Sequence, residues 1–311
     1  MRIVAPEEVN QALDDDGLIA ALREMFRAGC AVPLRHHHTV PVPDAADGTL
    51  LLMPAWREGA DIGIKLVTVF PDNNRVGLPS IIGQYLLLDG RTGDPKAVID
   101  GVQLTLRRTA CASALAADYL ARDDALRLLM VGAGALAPHL IRAHAAVRPI
   151  REVTIWNHHP EKARALATTL AVDGASVRAG DDLEACARDA DIISCATLSA
   201  EPLIQGAWLA PGSHLDLVGA FRPDMRECDD AAVAASRVYV DTREGALVEG
   251  GDIAIPLANG TLSEAEVVGD LFDLTRGGVA GRGADEEITL FKSVGTALED
   301  LAAAQLVMQR L

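Results

Sequence analysis

Residues 128–140 read LLMVGAGALAPHL. An apolar run enters Gly132-Ala133-Gly134, and an Ala-rich pattern with helical character follows. Each small residue has a physical reason to be there. Gly132 permits a tight turn directly off a strand, and Gly134 lets backbone approach a bulky anion. The N–H groups opening the next helix then face that anion, where the helix dipole favours negative charge. Ala137 stands where a third small residue allows helix and sheet to pack closely. The pattern GxGxxA is thus a dinucleotide-binding turn, with a plain tight turn as the competing reading. The context favours binding: a strand before, a helix after, and a second strand, EVTIW, at 152–156.

From this turn onward, strand and helix patterns alternate to about residue 241, as expected of a doubly wound parallel sheet, the Rossmann arrangement. The N-terminal third reads differently. DIGIKLVTVF (61–70), SIIGQYLLLD (80–89) and PKAVID (95–100) are β-rich and separated by turns such as GRTG, which predicts a largely antiparallel or mixed sheet. One helix is expected over 6–28, a long Ala-rich helix over 104–121, and a C-terminal helix over 286–311 that packs back on the first domain.

Half the residues are hydrophobic and the formal net charge is −16, which argues against nucleic acid as a partner. Five cysteines with no CxxC pair read as free thiols of a reducing compartment. The N-terminus lacks a signal-peptide core, and no apolar stretch approaches the roughly 20 residues that span a bilayer. The expectation is a cytoplasmic protein with no membrane partner.

Of the four lysines, Lys65 lies inside an apolar strand between Ile64 and Leu66 and points to the opposite face from both. Such a lysine either snorkels to water or serves chemistry: once desolvated, it can hold a carboxylate or move a proton. His36-His37-His38 suggests a metal, but consecutive histidines in an extended segment face alternate sides and no Cys or carboxylate cluster is nearby, so no metal is expected. At the end of the second Rossmann strand, Trp156-Asn157-His158-His159 offers no Asp or Glu to bond a ribose 2′-hydroxyl. With Lys162 and Arg164 close behind, NADPH is favoured, with NADH as the alternative.

Several stretches together resemble the ornithine cyclodeaminase/mu-crystallin family: GIKLVTVFPDNN with GLP, DGRTGDPKAVIDG, LRRTACASALAADYLA, GAGALAPHL, REVTIWNHHPEKA, GAFRPDMRE and EITLFKSVGTALED. The resemblance implies a β-rich substrate-binding and dimerisation domain (1–112, completed by 287–311) and a Rossmann domain (113–286). It places the active-site lysine at Lys65 and substrate-carboxylate arginines at Arg35 and Arg108, with Ser80 lining the same site. It assigns cofactor contacts to Gly132, Gly134, Ala135, Leu136, Asn157, His158, His159, Lys162, Thr197, Val218, Ala220 and Ser293.

One position departs from the cyclodeaminases, which carry an aspartate where this chain has Phe221. Phenylalanine cannot manage the second amine of an open-chain diamino acid, so GAFRPDMRE looks like the ketimine-reducing branch. The expected activity is NAD(P)H-dependent reduction of a cyclic imino acid, Δ1-pyrroline-2-carboxylate to L-proline or Δ1-piperideine-2-carboxylate to L-pipecolate, by a homodimer. The rival readings are a cyclodeaminase or amino-acid dehydrogenase, a hydroxyproline dehydratase, and a non-enzymatic ligand-binding protein.

Overall fold

The computed structural model describes all 311 residues, which form two compact units: Met1–Arg108 with Thr296–Leu311, and Thr109–Gly295. The first unit opens with β1 (Arg2–Val4), α1 (Pro6–Ala12) and α2 (Asp15–Ala28). The single helix expected over 6–28 is two helices. Asp14 adopts an extended conformation and accepts the N–H of Gly17 at 2.7 Å, so it caps a new helix instead of continuing the old one. Then come β2 (His36–Val40), β3 (Gly48–Trp56), β4 (Asp61–Val69), β5 (Ile81–Asp89) and β6 (Pro95–Asp100). They form a six-stranded mixed sheet in the order β1-β6-β5-β4-β3-β2, with only the β1–β6 pair parallel. Met53, Ala55, Gly63, Lys65, Tyr85 and Leu87 are buried, facing inward on alternate positions. Gly63 is required by packing: a Cβ there would lie 1.7 Å from the Tyr85 hydroxyl. The division between units falls within α3 (Gly101–Leu120).

The second unit is wholly parallel in its sheet. Its elements are β7 (Arg127–Val131), α4 (Ala137–Val147), β8 (Glu152–Trp156), α5 (Pro160–Thr169), β9 (Ser176–Ala179), α6 (Leu183–Asp189), β10 (Ile192–Cys195) and β11 (His214–Leu217). They continue through α7 (Asp230–Ala234), β12 (Arg237–Val240), α8 (Arg243–Glu249), α9 (Gly251–Asn259), β13 (Val267–Asp270), α10 (Leu271–Arg276) and β14 (Thr289–Lys292). The strand order β13-β12-β14-β11-β10-β7-β8-β9 reverses direction between β7 and β10, the switch point where doubly wound sheets hold ligands. Every residue of β10, β11 and β14 is buried, as in strands covered on both faces.

Strand β14 corrects the helix expected over 286–311. Its run TLFK is apolar enough to satisfy a helical spacing, but it inserts between β11 and β12. Gly295, at φ 79°, ends that path, and Thr296 caps α11 (Ala297–Arg310). The first unit therefore resumes at Thr296, not at 287. Helix α11 packs on α2, β3 and β4. Gln305 Nε2 donates to Asp61 at 2.7 Å, and Arg310 donates to the Ala12 carbonyl at 2.8 Å and pairs with Asp14.

Candidate active site

The inner face of the first unit carries a buried ionic cluster. Lys65, on β4, is 3% exposed, and its Nζ lies 3.0 Å from Oδ1 and 2.8 Å from Oδ2 of Asp300. Arg108, on α3, donates from Nε to the same Oδ1 at 2.9 Å and from Nη1 to Glu299. The Thr105 hydroxyl oxygen stands 3.5 Å from Lys65 Nζ and itself donates to the Gly101 carbonyl. Glu299 and Asp300 occupy the first turn of α11, where the helix dipole favours anions.

Burial, and then the Arg108 charge, bring the Lys65 ammonium down to about 8; Asp300 opposes both. Burial would raise the Asp300 carboxyl, but Arg108, Lys65 and Arg35 hold it below the usual carboxylate range. Lys65, Arg108 and Arg35 thus act on one carboxylate. Neighbouring Arg107 points elsewhere, pairing with Asp15 at 2.9 Å and anchoring α2. Ser80 is not brought to this cluster. Its hydroxyl faces the Pro71 carbonyl at 3.4 Å, one residue beyond the Val69–Ile81 pair and about 16 Å along the strands from Lys65.

In the second unit the glycine turn has the geometry its sequence predicts. Gly132 sits at φ 115°, and a Cβ there would stand 2.6 Å from the Ala196 carbonyl of the loop after β10. Gly134 is different: a Cβ would meet nothing within 4 Å. Protein packing does not demand glycine there, whereas close approach of a ligand does. Ala137 is buried at the first position of α4.

The other expected cofactor residues gather at the carboxyl ends of the strands. Val218 follows β11, and Ser293 follows β14. Ser293 is 1% exposed, and its hydroxyl is buried with no hydrogen-bond partner, an orphan suited to a ligand amide. Ala220 is fully buried. Ala135 is exposed and Leu136 half-buried in the turn itself. These features fit a dinucleotide. At the end of β8, the Asn157 side chain accepts the His159 N–H at 2.8 Å. His158, His159 and Lys162 are exposed, and Arg164 pairs with Asp181 at 2.8 Å.

Thr197 reveals a residue the sequence reading missed. Its N–H and hydroxyl both donate to Oε1 of Glu227, at 2.6 and 2.8 Å, while Oε2 accepts the Gly219 N–H at 2.7 Å. One fully buried carboxylate therefore ties together the loops after β10 and β11. Burial raises Glu227 to about 7, and Lys292 opposes the rise. Lys292 is itself buried and pairs with Asp252 at 3.1 Å. Phe221 is 46% exposed, and Arg222 and Asp224 are engaged with each other at 2.9 and 3.0 Å.

No group of three or more His, Cys, Asp or Glu side chains is arranged to hold a metal, and His36–His38 lie exposed on β2. No helix is long and apolar enough to cross a membrane.

The family model of the ornithine cyclodeaminase/mu-crystallin proteins matches residues 4–311. The chain belongs to that family. The Δ1-pyrroline-2-carboxylate reductase of Paracoccus denitrificans is 42% identical, over 88% of this chain and 89% of that one. Among solved structures, the Δ1-pyrroline-2-carboxylate reductase of Thermococcus litoralis, in complex with NADH and L-proline, superposes with a TM-score of 0.92. It is 32% identical and covers 100% of this chain and 97% of its own. An archaeal alanine dehydrogenase dimer with bound NAD has a TM-score of 0.89 at 29% identity, covering 100% and 95% of the two chains. Family membership accounts for both halves of the reading at once: a mixed-sheet unit with a buried lysine, and a Rossmann unit with a nucleotide cradle.

Proposed function

We propose that this protein is an NAD(P)H-dependent ketimine reductase that converts Δ1-pyrroline-2-carboxylate to L-proline, and also accepts Δ1-piperideine-2-carboxylate. The observation that carries the reading is the desolvated Lys65, which shares the carboxylate of Asp300 with Arg108. The 42% and 32% identities to proteins named for this reaction support it. A nicotinamide held by the glycine turn and the strand ends of the second unit would supply the hydride that the imine carbon takes.

The residues of the chain do the rest. Arg35 and Arg108 bind the carboxylate next to the reacting carbon, since a guanidinium grips a carboxylate through paired N–H groups. Lys65 holds the proton that the ring nitrogen takes as the C=N bond becomes C–N, so one hydride and one proton complete the reduction. The buried setting strengthens each of these contacts.

NADPH is the proposed preference, supported by Asn157 in place of an acid and by exposed His158, His159 and Lys162. A homodimer is proposed as well, supported by the apolar face that Trp56, Ile62, Ile64, Leu86 and Leu88 form on the side of the mixed sheet opposite Lys65. The test follows NADPH and NADH absorbance with each cyclic imine. The expected result is oxidation of both cofactors, faster with NADPH and with the five-membered ring. Absence of oxidation with either imine overturns the reading; equal or better use of NADH overturns only the cofactor preference.

A further inference from the structure

Lys65 and Arg108 were legible as candidate substrate groups, but each already has a buried partner. The carboxylate of Asp300 touches both: Oδ1 accepts from Lys65 Nζ at 3.0 Å and from Arg108 Nε at 2.9 Å, and Oδ2 lies 2.8 Å from the same ammonium. All three side chains are at most 5% exposed. Two cations brought together out of water repel each other, and the cheapest relief is loss of the lysine proton. A neutral Lys65 would neither attract a carboxylate nor protonate an imine.

We infer that Asp300 is a positioning residue of this reaction: it fixes the Lys65 ammonium and the Arg108 guanidinium in one arrangement and keeps the lysine charged. The inference rests on the proposed imine reduction for its catalytic consequence, but not for its effect on Lys65. Stability alone is a weak reason for the arrangement, because a buried ion pair can often be replaced by packed apolar groups without loss.

The fold makes the placement exact enough for the task. Asp300 sits in the first turn of α11, and β4 and α3 present Lys65 and Arg108 to it.

The test uses the scarcity of lysine. With four lysines in the chain, ε-13C-lysine labelling gives four resonances, and Lys65→Met assigns the one that matters. In the intact protein that resonance is expected to titrate near 8. In Asp300→Asn, which keeps the shape and removes the charge, it should titrate about one pH unit lower or more. The alkaline limb of kcat should move the same way, with turnover down by about tenfold or more.

An unchanged Lys65 midpoint in Asp300→Asn overturns the inference. Should that variant not fold, Asp300→Glu decides: displacing the carboxylate by one methylene should lower kcat with a smaller change in midpoint, and wild-type behaviour in both overturns it. If the wild type oxidises no cofactor with cyclic imines, the proposed function fails, yet the titration still decides what Asp300 does to Lys65.

Discussion

In the proposed reduction Lys65 supplies the proton, held among buried charged partners. Lys65→Met should leave the second unit's nucleotide cradle intact while removing the ammonium that the proposed reduction uses as its proton donor. Turnover is expected to fall by about 10²–10⁴-fold, the usual worth of a positioned acid. Titration of NADPH fluorescence should show near wild-type affinity, and wild-type turnover would remove Lys65 from the mechanism. Phe221 sets the second expectation at this scale. Ornithine should not be cyclised, and Phe221→Asp should not install that activity efficiently. Its neighbours Arg222 and Asp224 already form a closed pair, so a new carboxylate would join an occupied ion pair instead of a waiting amine. Measuring ammonia and proline from ornithine with catalytic NAD checks both proteins, and robust ammonia release by the wild type contradicts the assignment. Residue types and local motifs made Lys65, Arg108 and the glycines legible. Asp300 was visible as the last residue of EITLFKSVGTALED, but its role was not, because it meets Lys65 across 235 positions of chain and no local spacing encodes that contact. Glu227 was visible as part of GAFRPDMRE, but its work depends on β10 and β11 lying side by side.

Among the elements, the turn between β7 and α4 was readable because strand, glycines and helix are contiguous. The two glycines should respond to substitution in opposite ways. Gly132→Ala forces a side chain into φ 115° and to within 2.6 Å of the Ala196 carbonyl. It should destabilise the protein by about 1–3 kcal/mol. Gly134→Val meets no protein atom within 4 Å of its Cβ, so melting should be nearly unchanged while cofactor affinity falls. Thermal melts and fluorescence titration of both variants separate the effects; undiminished NADPH binding by Gly134→Val would show that no ligand approaches that position. The misread elements share one cause. TLFK in β14 and the break at Asp14 depend on what lies next to them in space: a strand slot between β11 and β12, and a cap that forms only once the chain turns. Apolar spacing alone does not separate a doubly covered strand from a helix face.

For the molecule as a whole, the mixed sheet presents a second apolar face. Residues alternate along strands, so the positions between Met53, Ala55, Gly63, Lys65, Tyr85 and Leu87 point the other way. Those positions are Pro54, Trp56, Ile62, Ile64, Leu86 and Leu88, and the register places them side by side: Pro54 beside Ile64, Trp56 beside Ile62, Ile64 beside Leu86, Ile62 beside Leu88. Trp56 is 39% exposed and Leu66, on the same face, 36%. The strands β3, β4 and β5 are nine residues each. At about 3.3 Å per residue the face runs about 30 Å along the strands. A second copy is the simplest cover, since a twofold contact needs only one self-complementary patch. The protein is therefore expected to elute and scatter as a dimer at micromolar concentration. Ile64→Asp places a charge at the centre of that face, and twofold symmetry repeats it in the partner. Each unpaired buried ion costs several kcal/mol, so the variant should be monomeric under the same conditions. Because Ile64 and Lys65 point to opposite faces, cofactor binding in the variant should persist. A wild-type monomer by light scattering rules the dimer out, and a dimeric Ile64→Asp moves the interface off this sheet.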